Sequence, residues 1–570
     1  MLTPQITSPS RQAWRLLLSA AACLMLTQAQ AQDSLRLRDN RLTARSDPWI
    51  TGPNAAALSR LEAPSIAGAE LLLTRAEGGL ADYYQSDNTW EGTAAVEAVS
   101  RLTSRTVFAG EMSYSTFSGR NMAGSAFIDP RRRPFDIVED SLCNTGSKHR
   151  DTYHLRGAVS MTIGKVNIDN PSSATSIGLC LDYNAANYAK YKDLRHKNLL
   201  MDLTATAGLY SPVTPWLAVG AAYSYHRNTE SISFSTYGKG DRTFNSLISY
   251  AAFMGQVEQF GAEGYTDKSR EMPLVSDENA LTLQFGLTTL SNSHKAHEPH
   301  KTHTPTLSFY NSITLARLNG YYGRKSPYTA TLADHTSKRL LYHACLQLAL
   351  PSTRHRMDFT LASQTMENKA ANYRTLQNDA GATYYEYYTP VKTANRLWTD
   401  GRIALTSDIG THSPYTLPKW TIEAAYDWQY RRQTAYLYPY YRRQELTTRR
   451  LSAAVTRNLP TGKRTIWSLQ AGAAYQKGSG DPFEDLTFAQ PSDKQTPPAI
   501  MEAYLMREYQ YLTAPQWAIN AAAKYAFCPK GLPLKAHVSL AATHRKATET
   551  YEYSTGSHRT EMTLAVGCTF

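Results

Sequence analysis

The sequence predicts an all-β protein, a transmembrane antiparallel up-and-down β-barrel of about 18 strands, within a span of about 14 to 20, with short periplasmic turns and long extracellular loops. Three observations predict it. Apolar and polar residues alternate with period 2 in segment after segment. Charged residues such as Asp358, Glu423, Asp427 and Lys524 fall on one face, while Trp and Tyr recur near the ends of the other, as water inside and lipid outside require. Counted back from the C-terminus, the connections alternate between short and long.

The bulk composition agrees. The chain has 570 residues, of which 42% are hydrophobic. Nothing after the first 31 residues approaches the ~18 consecutive apolar residues of a membrane helix. A barrel strand needs only about ten alternating ones. The 37 Tyr and 9 Trp suit interfacial girdles, where an aromatic body sits in lipid and a polar tip in water. A net charge of +12 is dispersed, its longest run being Arg131–Arg133. That sets nucleic acid aside as a partner and suits anionic headgroups or an anion-favouring lumen.

In chain order, residues 1–31 read as a signal peptide. Arg11 and Arg15 precede the apolar run Leu16–Leu26, and Ala29 and Ala31 supply the small-x-small cleavage site. Cys23 makes a poor lipoprotein cysteine, because Ala20 stands where Leu is usual and the apolar run continues past it. Beyond the leader lie Cys143, Cys180, Cys345, Cys528 and Cys568, an odd number without metal-type spacing. Residues 32–65, including the turn-rich Ser46–Leu58, form an N-terminal periplasmic strap or a luminal plug segment. Residues 66–570 form the barrel.

The alternation runs through Tyr153–Ile163, Met201–Leu209, Leu217–Tyr225, Met357–Leu361, Trp420–Trp428, Trp467–Tyr475, Trp517–Phe527 and Ala536–Ala542. Short turns fall at Leu102–Thr106, Ser211–Pro215, Pro351–Arg354, Leu459–Lys463 and Cys528–Pro533, and long loops near 119–150, 236–278, 367–392 and 478–512. The last strand closes the barrel. Met562, Leu564, Val566, Cys568 and Phe570 alternate there with Glu561, Thr563, Ala565, Gly567 and Thr569.

Three local clusters stand out. His294, His297, His300 and His303 recur every three residues on a turn that the topology places in the periplasm. Neutral imidazoles there could chelate a divalent metal, or the turn is merely a polar, Pro-broken linker. No other cofactor is indicated. Phe244, Leu247, Ile248, Ala251, Met254 and Val257 approximate helical spacing within a long loop. So apolar a loop is expected to fold into the lumen as a gate or to dock on a partner. Tyr384–Tyr388 and Tyr436–Arg443 suit girdle residues running into loops, or a surface that stacks on sugars. No phosphate loop, GxSxG or HExxH occurs, so an enzyme has no positive support.

A final strand ending on an aromatic residue resembles the closing strand of bacterial outer-membrane barrels. The segment around Asn54 resembles the luminal N-terminal segment of the fatty-acid-channel superfamily. The whole of 32–570, with Asp47-Pro48-Trp49, resembles an uncharacterised family of single-chain outer-membrane barrels of Bacteroidota type. The resemblance implies a bacterial outer-membrane location, contact with outer-membrane lipids and lipopolysaccharide, and insertion by the barrel assembly machinery. It also implies a TonB-dependent receptor or surface lipoprotein as partner, and a role in nutrient, metal or haem acquisition. Two functions follow: a porin-like solute channel or uptake component with a loop-gated lumen, and a non-conducting barrel on which another protein docks.

Overall fold

The computed structural model describes residues 47–569 except 62–64, 140–143, 164–173, 238–242, 260–271, 290–304, 327–328, 411–416, 463, 496, 531, 533 and 550–551. The expected signal peptide, the four-His turn and Phe570 therefore lie outside the described residues. The strands up to the middle of the chain are β1 (Ser65–Glu77), β2 (Asn88–Arg101), β3 (Thr106–Met122), β4 (Asp136–Glu139), β5 (Gly146–Thr162), β6 (Ser176–Lys190), β7 (Arg195–Thr214), β8 (Leu217–Ser235), β9 (Asn245–Ala251), β10 (Met254–Gln259) and β11 (Met272–Thr288). They continue as β12 (Thr306–Ser326), β13 (Thr329–Ala349), β14 (Thr353–Gln377), β15 (Thr383–Ile409), β16 (Trp420–Leu437), β17 (Tyr440–Pro460), β18 (Thr465–Thr487), β19 (Ala499–Ile500), β20 (Gln516–Phe527), β21 (Lys535–Ala547) and β22 (His558–Thr569). One α-helix, α1 (Glu502–Thr513), and a 3-10 turn (Ala55–Arg60) complete the parts used below.

Eighteen of these strands form one closed antiparallel barrel, and β4, β9, β10 and β19 form a separate four-stranded sheet. Closure falls between the first and last strands, in register from Gly68↔Thr569 to Glu77↔Thr560. A closed ladder leaves no edge, so every strand can satisfy its backbone groups from its two neighbours. Met562, Leu564 and Val566 of β22 lie opposite Arg75, Leu73 and Leu71. Leu71, Leu73, Met562, Leu564 and Val566 are all exposed on the outside.

The period-2 pattern decides which face is which. On β5 to β8 the odd-numbered Leu155, Leu179, Leu181, Leu209 and Tyr223 are exposed. Their even-numbered neighbours His154, Asp182 and His226 make polar contacts with one another's strands on the inside. The same split continues with Leu283 and Leu315 outside and Thr282 bonded to Thr314 inside. An antiparallel sheet between two unlike solvents produces this division.

The described parts of three long connections, within 123–145, 236–271 and 488–515, enter the barrel from one end. At that same end β14–β15 and β16–β17 are joined by the short stretches 378–382 and 438–439. The stretch 367–392, expected as loop, is instead mostly strand, because β14 and β15 run to 25 and 27 residues. Their ladder continues past register shifts at Asn368/Lys369 and Ala370/Asn372.

Candidate functional site

The lumen is bounded at both ends by the chain's own segments. At the short-turn end lie residues 47–61, the described part of the expected strap or plug. Asp47 fixes their first turn, its Oδ1 accepting from the Trp49 backbone at 3.0 Å and its Oδ2 pairing with Arg60 at 2.7 Å. Arg60 also donates to the Tyr210 hydroxyl at 2.6 Å. Trp49 is buried edge-on between Tyr210 and Tyr310, with ring centroids 5.1 and 5.0 Å away. Asn54 caps the 3-10 turn through the Ala56 amide and donates to Leu209 O and Gln284 Oε1, both at 2.8 Å. Ser160 and Ser176 donate to Ala56 O at 2.7 and 2.8 Å.

Four glycines on the inner faces of β6, β7, β8 and β11 make room for this segment. A Cβ on Gly178 would meet Ala56 N at 2.1 Å, and one on Gly208 would meet Asn54 Oδ1 at 2.0 Å. Side chains on Gly220 and Gly286 would strike the Trp49 ring at 3.0 and 2.9 Å. The wall is thus built as a bed for residues 49–56. No spacing in the sequence announces it, because the four glycines are far apart along the chain and meet only in the barrel.

The long-loop end is filled by the four-stranded inner sheet, ordered β19-β10-β9-β4, and by α1. The stretch with apparent helical spacing is not a helix. It is the β9–β10 hairpin, turning at Ala252 and Phe253 with φ of +48° and +52°. Its apolar residues look helical in sequence because both faces of β9 are buried, which removes the alternation that identifies a half-exposed strand. Ile248, Phe244, Ala251 and Met254 pack with Phe135, Tyr322, Leu332 and Ala394 on the wall side. Leu247 packs with Val138, Phe253, Tyr83, Tyr504 and Leu505 on the helix side. Val257 stands apart, 45% exposed.

Buried cations on the wall hold this inner sheet. Arg396 donates to Tyr250 O at 2.6 Å and to Arg133 O. Arg431 forks onto Glu508 of α1 at 2.9 and 2.8 Å. Arg442, fully buried, forks onto Asp485 at 2.6 Å twice, reaches Ala252 O at 3.3 Å and lies over the Phe483 ring. Lys148 donates to Ser125 O at 2.8 Å, and Lys190 to Asn144 O at 2.9 Å and to Glu139. These polar anchors escape a sequence reading, since nothing local links a wall arginine to a carbonyl 146 to 263 positions away.

Between the two ends lie adjoining cavities of about 770 and 650 Å³, which share Pro53, Thr314, Leu341, Ala362 and Asp400 in their walls. Thr51–Pro53 form one side, and Ile128–Asp129 with Arg132 and Arg133 descend from the other. Hydroxyl side chains recur along the lining, including Ser312, Thr360, Thr448, Thr206 and Ser224. Several charges there are paired: Arg402 with Asp427 at 2.8 Å, His226 with Asp202 at 3.0 Å, and Arg339 with Glu278, while Asp400 accepts a hydrogen bond from Gln429 at 2.7 Å. A lumen so neutralised presents many hydrogen-bonding groups and no ring of one sign, so it suits polar solutes better than a selected ion.

Two carboxylates of the inner body, outside the spanning strands, are held away from their usual range. Burial pushes Asp136 up to about 6, against hydrogen bonds from Ser125 and Tyr83 that favour its charge. Burial, and then the nearby Glu508 carboxylate, raises Asp82 as well. Among the described residues no group of three or more His, Cys, Asp or Glu is placed to hold a metal.

The model of a family of unknown function (DUF6850) matches residues 55–570, and the chain belongs to that family. No curated protein matches it. Among solved structures the barrel is similar to the outer membrane transporter YddB from Escherichia coli, with 6% identity, a TM-score of 0.39, and coverage of 90% of this chain and 81% of that one. It is also similar to the siderophore receptor PiuA from Acinetobacter baumannii, at 8% identity, TM-score 0.37 and coverage of 88% and 82%. For BauA, the ferric preacinetobactin receptor of the same organism, the values are 9%, 0.35, 88% and 80%.

Proposed function

We propose that this member of a family of unknown function is an outer-membrane uptake component, closed on its long-loop side in the conformation described, whose luminal chamber receives a small polar solute. The observation that carries the reading is the chamber itself, two joined cavities of about 770 and 650 Å³ enclosed by a barrel wall and two inner bodies. In this reading the short-turn end faces the periplasm and the β14–β15 hairpin faces outward. Phe244, Leu247, Ile248, Ala251 and Met254 form the packed part of the gate. Lipopolysaccharide surrounds the outer rim, the barrel assembly machinery inserts the chain, and no catalysis is assigned.

Conductance tests it. The intact protein in a planar bilayer is expected to conduct weakly, and deletion of residues 243–259 to raise conductance at least several-fold. An intact protein already as conductive as the deletion variant would remove the gate.

A second reading is a non-conducting barrel on which a TonB-dependent receptor or surface lipoprotein docks. The buried cations that anchor the inner sheet favour it, because a body so tied to the wall moves only at the cost of several charge-assisted hydrogen bonds. Lack of conductance in both forms, together with stable co-purification of a partner, would select it. The turn bearing His294, His297, His300 and His303 is assigned divalent-metal capture in the periplasm. Calorimetric zinc titration of the folded barrel should lose its binding heat when all four are replaced by Ala.

A further inference from the structure

On the outward face of the barrel cations stand directly opposite each other across a strand pair at Lys369 and Lys392, which share Glu367 at 3.1 and 3.0 Å, and at two further places where no carboxylate pairs with them. Arg449 of β17 faces Lys477 of β18. Arg317 of β12 faces Lys338 of β13. All four are exposed, and no ion pair among the described residues includes any of them. Like charges in direct cross-strand register repel, and the sheet offers them no relief. Other outward charges are treated differently. Arg227 pairs with Asp277 at 3.2 Å, and Arg443 pairs with Glu445 at 2.8 Å.

Their height is the second observation. Arg449 follows Leu451 and Lys477 follows Tyr475 toward the long-loop end, and Leu451 and Tyr475 are 61% and 48% exposed. Trp428 lies directly beside Arg449 in the ladder, and Trp517 beside Tyr475. Aromatic rings of this kind mark the boundary between hydrocarbon and headgroups. Arg317 follows Leu315, which is 58% exposed, in the same direction. Both pairs therefore sit one outward position beyond the apolar belt, on the side read as extracellular.

We propose that the Arg449–Lys477 pair, with Trp428 beside it, binds the phosphorylated headgroup of an outer-leaflet glycolipid, and that Arg317–Lys338 is a second site of the same kind. A phosphate between two cations converts the cross-strand repulsion into paired charge-assisted hydrogen bonds. Recurrence at the same edge of the belt fits a ligand present all round the barrel better than one soluble anion. The inference rests on the outer-membrane reading and gives it a lipid.

The test uses the full folded barrel in detergent and in phosphatidylcholine vesicles doped with lipid A carrying two phosphates, with dephosphorylated lipid A as control. Native mass spectrometry is expected to retain the phosphorylated form on the intact protein at least ten-fold more than the dephosphorylated form. R449Q/K477Q together with R317Q/K338Q should abolish that preference while leaving insertion and heat-modifiable mobility intact. Equal retention of both lipids, or an unchanged preference in the substituted protein, overturns the sites and leaves the barrel reading standing. Displacement by millimolar inorganic phosphate as complete as by lipid A overturns the lipid assignment in favour of a free-anion site. Failure to insert into any vesicle overturns the membrane reading and the sites with it.

Discussion

A glycine at residue 208 is decided by a neighbour more than 150 positions away. Its Cβ would lie 2.0 Å from Asn54 Oδ1, so Gly208→Ala must displace Asn54 and with it the bonds to Leu209 O and Gln284. Overpacking of this kind costs about 1–3 kcal/mol. The thermal midpoint of Gly208→Ala should fall accordingly, whereas Gly157→Ala, with nothing within 4 Å of its Cβ, should match the parent. An equal fall in both would mean that the bed does not hold the segment. Asp136 offers a test by pH. Its folded value, about 6, lies above the ~3.9 of an unfolded Asp. Below about 4 the group is protonated in both states and costs nothing. As pH rises through the window from about 4 to about 6 the unfolded state gains charge more readily, and stability is lost. The inner sheet should therefore exchange its amides faster at pH 7.5 than at pH 4.5 once intrinsic rates are removed, with a smaller difference in Asp136→Asn. An identical pH response in the variant would refute the assignment. Neither residue was legible beforehand, since one depends on a distant contact and the other on burial that only the assembled lumen creates.

At the scale of elements, the wall strands were legible and the inner ones were not, for one physical reason. A wall strand separates two unlike surroundings, so Trp420, Ile422 and Tyr426 alternate with Thr421 and Glu423. β9 and the turn after it are buried on both faces, and Leu247–Met254 reads as an apolar run, broken only by Ser249, that three- and four-residue spacings happen to fit. The outer parts of β14 and β15 fail in the opposite way. Tyr384, Tyr387 and Tyr388 are exposed there, and a strand wet on both faces has no alternation to display. Arg442 shows what ties an inner element to the wall. It is fully buried, while its partner Asp485 keeps 46% of its side chain exposed. Arg442→Met should leave Asp485 hydrated instead of stranded, and should free the turn at Ala252 and Phe253. The loss is therefore expected below the ~3–5 kcal/mol of breaking a wholly buried pair. Limited proteolysis should cut the β9–β10 turn faster in that variant, with the strand content of the wall unchanged by circular dichroism. No change in cutting would show that hydrophobic packing alone fixes the hairpin.

At the scale of the whole molecule, wall and filling are separate strand ladders joined by side-chain anchors. The 18-stranded sheet closes through β1 and β22, and the four inner strands form a ladder of their own that pairs with no described wall strand. The strand number could be read from sequence because closure needs an even, repeating pattern, and strand after strand repeats it. The way the lumen is filled could not, because the four inner strands come from three different connections, and β4, the β9–β10 hairpin and β19 meet only after the wall brings those connections together. This separation makes the two systems differ in what they tolerate. Deleting 243–259 removes β9 and β10 but leaves every wall ladder paired. Deleting 558–570 removes β22, strips β1 and β21 of a neighbour each, and leaves two unpaired edges where the barrel had none. Unsatisfied backbone groups cost several kcal/mol each in an apolar medium, so the opened sheet has no stable place in lipid. On unheated denaturing gels the 243–259 deletion should keep the fast-migrating compact band of a closed barrel, and the 558–570 deletion should lose it. If the first deletion also lost that band, the inner sheet would be part of what closes the wall, and the uptake reading would have to treat gate and barrel as one folding unit.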